Sequence, residues 1–195
     1  GEDMGNPLGD LISKGEGDYD SYNRGTYRDD NGRTRILAAN QEIDFSQMTV
    51  AELQRRQTLP ITDPDRVFAV GKYQITMSEV VDKLGIGADE KYSPELQERM
   101  FADSLIRLKR PDIYKYIVGE EGATLRDAQK AAALEWASVE DPDTPGHAYA
   151  PYERAGNRMH TTAASVGEAL DTMRNEYRAA IDKGVSPEDA WRSVN

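Results

Sequence analysis

Apolar positions in this chain recur mostly at helical spacing, interrupted by one stretch of aromatic and β-branched residues around a turn signal. Leu8, Leu11 and Ile12 form an apolar turn with Asn6 as N-cap and Pro7 as first helical residue, which predicts a short helix to about Lys14. Between Ser21 and Ser46, aromatic and β-branched residues surround the turn signal Asp29, Asp30, Asn31, Gly32. That pattern predicts a hairpin with strands near 22–27 and 34–37. Thr49 with Glu52 caps a helix over 50–57, and Thr76 with Glu79 caps one through Val80, Val81 and Leu84 that ends at Gly85.

Ser93 and Pro94 start a longer helix in which Leu96, Met100, Leu105 and Leu108 share a face before Pro111, the expected buried central helix. A short helix over 112–118 follows. Thr124 with Asp127 then caps an alanine-rich helix to Ser138 in which Trp136 is a core residue. Residues 141–152, with three prolines and Gly146, read as a loop. Ser165 with Glu168 caps a last long helix carrying Leu170, Met173, Tyr177 and Ile181 to Gly184, and Ser186 with Pro187 starts a final turn with Trp191. The fold class this predicts is α+β, predominantly α-helical, in a single domain over 1–195.

Composition narrows the function. With 195 residues, 38% hydrophobic and 30% charged, the chain can bury a real core, and no apolar run approaches the ~20 residues of a membrane span. There are no cysteines, which excludes disulfides, thiolate metal sites and a cysteine nucleophile. The net charge of −11 argues against nucleic acid or an anionic membrane as partner. The start GEDMGN has neither the basic nor the apolar region of a signal peptide, so delivery by other machinery, or excision from a larger protein, is expected.

The candidate chemistry lies at 12–25, ISKGEGDYDSYNRG. Glu16, flanked by Gly15 and Gly17, stands where the first helix is being stopped. A carboxyl set against apolar neighbours at a helix end has its pKa raised and can hold a proton for a glycosidic oxygen, which makes Glu16 the candidate general acid. Tyr19, Ser21, Tyr22 and Asn23 after it are the side-chain mix of a sugar-binding cleft.

A second stretch, 66–77, reads RVFAVGKYQITM. Together the two stretches resemble the lysozyme-like superfamily of peptidoglycan-cleaving enzymes, in which an acid glutamate ends a helix and a Gly-x-x-Gln segment follows across the cleft. Gly71, Lys72, Tyr73 and Gln74 match that segment, and 132–139, AALEWASV, looks like the late helix of phage-type and secreted-effector muramidases. The resemblance spans residues 8–157 and implies a lysozyme-like fold with a small hairpin sheet beside the cleft. Two departures stand out. Gly17 replaces the Ser that follows the acid in many relatives, so a helper hydroxyl beside the acid is missing unless Ser21 supplies it. The Asp and Thr partners of one group of phage lysozymes fall here on Gly25 and Asn31.

The resemblance implies hydrolysis of the bond between N-acetylmuramic acid and N-acetylglucosamine, with lytic transglycosylation as the alternative and a non-catalytic glycan-binding module as a second one. An inverting hydrolase needs a second carboxylate about 6.5–9.5 Å from the acid, a retaining one about 5–5.5 Å, and Asp20 and Asp44 are the candidates. Tyr73 is expected to stack on a sugar face and Gln74 to bond an N-acetyl group, with Gly71 in the same substrate-binding segment and Tyr19, Tyr22 and Asn23 opposite. No cofactor or metal is expected. His147 and His160 lack zinc spacing, and in the calcium-like run Asp141, Asp143, Gly146, residues Pro145 and Tyr152 replace two ligands. The implied partners are peptidoglycan glycan strands and, for a secreted toxin, a periplasmic immunity protein. The implied state is a monomer acting in the periplasm or cell wall of a target bacterium.

Overall fold

The computed structural model describes residues 5–14, 18–76 and 84–195. The described residues make a predominantly α-helical α+β fold, 48% helix with one two-stranded antiparallel sheet, as the hydrophobic pattern predicts. The chain divides into two compact units, one holding Phe101–Asn195 with the N-terminal segment, the other holding the stretch between them.

The first unit is organised on the helix Ala163–Asp182. Helices Pro7–Ser13, Pro111–Ile117, Leu125–Glu135 and Pro187–Val194 all pack on it. It starts earlier than the expected Ser165, because the Thr162 side chain caps the Ser165 amide and makes Ser165 the third helical residue. Val166, Ala169, Leu170 and Met173 bury one stripe of it, and Gly167 lets Leu125–Glu135 come close, since a Cβ there would lie 3.0 Å from Gln129 Nε2. The Ala-rich helix is capped by Thr124 as expected but stops at Glu135. Trp136 turns extended there and buries its ring against Phe101, with centroids 5.6 Å apart.

Three further stretches differ from the sequence reading. Phe101–Lys109 is π-helical rather than α-helical, with the Arg110 amide bonded to Leu105 O. The wider turn buries Phe101, Leu105 and Ile106 together and leaves Leu108 49% exposed, outside the core it was expected to join. The 141–152 loop gives way to a short helix at Ala150–Arg154, where Pro151 sits in the first turn without loss because the N–H there needs no helical partner. The final turn is a full helix, Pro187–Val194, because Trp191 is 2% exposed, donates its indole N–H to Asp103 at 3.0 Å and meets Tyr114 edge-on.

The second unit carries the hairpin, Asn23–Arg28 paired with Thr34–Ala38 across the Asp29–Gly32 turn, with a bulge between Asn23 and Thr26. At its inner end, Asn23 exchanges backbone bonds with Phe68 and Ala69, and Tyr22 bridges Val70. Tyr22, Phe45 and Tyr92 stack edge-on in sequence beneath it. The helix Val50–Gln57 matches its predicted bounds, with Thr49 capping the Glu52 amide at 3.1 Å. The helix expected through Val80 and Val81 lies outside the described residues.

Glu52 hydrogen-bonds Arg55 first and Arg56 second, which lowers its carboxyl to about 2 from 4.5. A depressed carboxyl stabilises the fold above its unfolded pKa and loses that contribution as pH falls through the folded one. Thermal unfolding of the parent and of Glu52→Gln should therefore differ near pH 6 and converge between pH 4.5 and about 2. A gap independent of pH would refute this role.

Candidate functional site

The Gly-x-x-Gln segment forms a tight turn. Val70 and Ile75 exchange both backbone bonds, and the Gln74 amide donates to Gly71 O at 3.2 Å. Two residues take the left-handed region, Gly71 at φ +82° and Gln74 at φ +50°, the latter the only non-glycine residue to do so among the described residues. That conformation costs a non-glycine residue about 1–2 kcal/mol, and such residues persist where the surroundings over-determine them. Here the Gln74 side chain supplies the compensation: Nε2 donates to Gly71 O at 2.8 Å and to Ser21 O at 3.2 Å, and Oε1 faces Asn23 Nδ2 at 3.5 Å.

The turn is thereby fastened to the segment that follows Glu16 in sequence. Ser21 O also accepts the Gly71 amide at 2.7 Å. Glu16, Gly15 and Gly17 themselves lie outside the described residues.

Behind the turn is a buried polar cluster that the sequence pattern did not reveal. Glu98, on the helix Pro94–Met100, is 8% exposed and accepts from Lys72 Nζ at 2.9 Å, from Tyr19 OH at 3.0 Å and from Tyr73 OH at 2.7 and 2.9 Å. The Lys72 ammonium also sits 5.4 Å from the Tyr19 ring centre and 5.2 Å from that of Tyr73. Burial first, and then the Glu98 carboxylate, push the Tyr19 phenol up to about 12. Gln97, next to Glu98, is 1% exposed; its Oε1 accepts the Lys72 amide at 2.9 Å and its Nε2 donates to Tyr19 O at 3.1 Å.

Tyr73, read from the sequence as a stacking face, is 4% exposed, with its hydroxyl engaged by Glu98. Its place is in the support of the turn. Tyr19 likewise directs its hydroxyl inward to Glu98.

Beside these residues, within the same unit, opens a groove of about 750 Å³ lined by Asp18, Asp20, Ser21, Tyr22, Glu42 and Asp44 among others. Both candidate partner carboxylates therefore reach one cavity, although they are far apart in sequence. Asp20 Oδ1 accepts the Phe45 amide at 3.1 Å, and Asp44 Oδ1 caps the Phe45–Gln47 turn through the Ser46 amide at 3.0 Å. Each carboxylate is oriented by one backbone amide and has its second oxygen without a protein donor among the described residues. Asp18 Oδ1 accepts from the Asp20 amide and Ser21 Oγ. Tyr22, 8% exposed in the groove wall, donates its hydroxyl to Gln41 O at 3.0 Å, and Asn23 Oδ1 holds the Gly25 amide at the bulge.

Among the described residues no group of three or more His, Cys, Asp or Glu side chains is placed to hold a metal. In the calcium-like run an ammonium takes the cation's place, with Lys130 Nζ 2.9 Å from both Asp141 oxygens and 3.0 Å from Asp143 Oδ2. Desolvation alone would lower the Lys130 pKa, but hydrogen bonds and charge from Asp141 and Asp143 outweigh it and raise it. No described helix is long and apolar enough to cross a membrane. Compared with protein-family models, curated proteins and solved structures, the chain matches none.

Proposed function

We propose that this chain cleaves the glycan strand of peptidoglycan between N-acetylmuramic acid and N-acetylglucosamine, as a muramidase with Glu16 as general acid. One observation carries the reading: the Gly71–Gln74 turn is bonded twice to the carbonyl of Ser21, five residues after Glu16, beside a groove into which Asp20 and Asp44 both open. A left-handed glutamine held by its own side chain against the segment that follows Glu16 in sequence is the kind of backbone outlier that clusters at functional sites.

In this reading Glu16 protonates the leaving oxygen while Asp20 or Asp44, through its second oxygen, activates water or stabilises the developing positive charge. Ser21 and Tyr22, which line the groove, contact the sugars. The partner is the glycan strand itself, so the site of action is a bacterial wall.

Digestion of purified sacculi followed by mass analysis of the released muropeptides tests the proposal. Hydrolysis adds one water per cut and leaves reducing ends. Anhydro-muramyl products would replace hydrolysis by lytic transglycosylation, with the same acid acting on the sugar's own hydroxyl. Binding to sacculi without any release would overturn the enzyme reading in favour of a glycan-binding module.

A further inference from the structure

We infer that Gln97 and Glu98 are a positioning pair that sets the Gly71–Gln74 turn against the 18–22 segment in the geometry needed for turnover. The inference rests on the proposed glycosidase reading for its catalytic part and on the structure alone for its positional part.

Two adjacent side chains of one helix reach both sides of the site at once. Gln97 holds the backbone: its Oε1 takes the Lys72 amide and its Nε2 the Tyr19 carbonyl. Glu98 holds the side chains: it gathers the Tyr19 and Tyr73 hydroxyls and the Lys72 ammonium on one carboxylate. These groups belong to the turn and to the segment that follows Glu16; a further bond of the pair runs from Gln97 Nε2 to Tyr92 O at 3.4 Å. Both side chains are almost fully buried, at 1% and 8% exposure.

Stability alone gives little reason for such a cluster. Desolvating a carboxylate and an ammonium is costly, and well-packed apolar side chains of the same volume often serve a core as well or better. What the ionic arrangement adds is direction. A carboxylate with three donors from two chain segments admits one relative placement of those segments, whereas an apolar contact would tolerate sliding. Turnover is sensitive to displacements of that size, because reacting groups must be held close to their productive geometry.

The experiment compares the parent chain with Glu98→Gln and Glu98→Asp by two readouts: kcat and KM on soluble glycan strands prepared from sacculi, and amide hydrogen exchange. In Glu98→Gln, which keeps size and loses charge, kcat should fall about 10-fold or more while KM stays within about two-fold, the pattern of lost transition-state positioning. Exchange of the Asn23, Gly71 and Lys72 amides should quicken about 10-fold or more, with the Val166, Leu170 and Met173 amides of the other unit unchanged as an internal reference. Glu98→Asp, which restores the charge on a shorter arm, should recover part of kcat.

Unchanged exchange at Gly71 and Lys72 overturns the inference outright. So does faster exchange with kcat equal to the parent, which would make the cluster structural only. A parent that releases no glycan at all refutes the glycosidase reading instead, and the exchange data then decide by themselves whether the pair positions these segments.

Discussion

Glu16→Gln should lower muropeptide release from sacculi by about 10²–10⁴-fold while leaving binding to the same sacculi intact. The amide matches the carboxyl in size and can still hydrogen-bond a sugar oxygen, but it has no proton to give the leaving group, and general acid catalysis is worth about that factor. The pH dependence supplies a second signature. Activity of the parent should decline as pH rises through the pKa of the acid, since only the protonated form donates, whereas the residual activity of the variant should lack that limb. Release and pH profile are measured together by mass analysis of timed digests. A Glu16→Gln protein that cleaves like the parent would remove Glu16 from the mechanism, whatever the products.

Gly71→Ala should destabilise the chain by about 3 kcal/mol, from two separable sources. At φ +82° an alanine bears the left-handed penalty of about 1–2 kcal/mol. Its Cβ would also lie 2.2 Å from Gln97 Oε1, 2.8 Å from Gln97 Cδ and 3.2 Å from Tyr92 Cε1. Gln97 cannot withdraw without releasing the Lys72 amide and the Tyr19 carbonyl, so the overlap adds about 1–3 kcal/mol. For a chain of this length that corresponds to a fall in Tm of about 10 °C. Gly32→Ala is the comparison: φ is +74° there too, but nothing lies within 4 Å of the added Cβ, so only the conformational penalty applies. Equal losses of Tm in the two variants would show that Gly71 is required for its dihedral angle alone and would sink the packing argument.

Glycine and glutamine at positions 71 and 74 are legible in the sequence as a spaced pair; what each does there is not. The spacing marks a Gly-x-x-Gln segment and no conformation. That Gln74 is itself left-handed and bonds Ser21, and that Gln97 leaves no room for a Cβ at Gly71, depends on segments 53 and 26 residues away in the chain. Tyr73 shows the same limit from the other side. An aromatic residue next to a polar turn reads equally well as a ligand platform or as core, and the carboxylate that pulls its hydroxyl inward comes from Glu98, a residue that on its own helix has no more mark than any other glutamate.

What the sequence determined by itself is most of what is settled within about four residues along the chain, the cap at Thr162, read at Ser165, being an exception. Asn6 and Pro7 start the first helix, Thr49, Thr124 and Ser186 cap theirs, and Asp29 with Gly32 turns the hairpin, because a cap or a tight turn is made by a side chain and a backbone amide that are already neighbours. The helix-rich α+β class follows from those signals and the spacing of apolar residues between them. Only the tertiary structure decided the π-helical register of Phe101–Lys109, the convergence of Asp20 and Asp44 on one groove, and the burial of Glu98 among Lys72, Tyr19 and Tyr73. The physical reason is that the donors and packing surfaces that decide each of these are supplied by residues distant in the chain, which no local pattern contains.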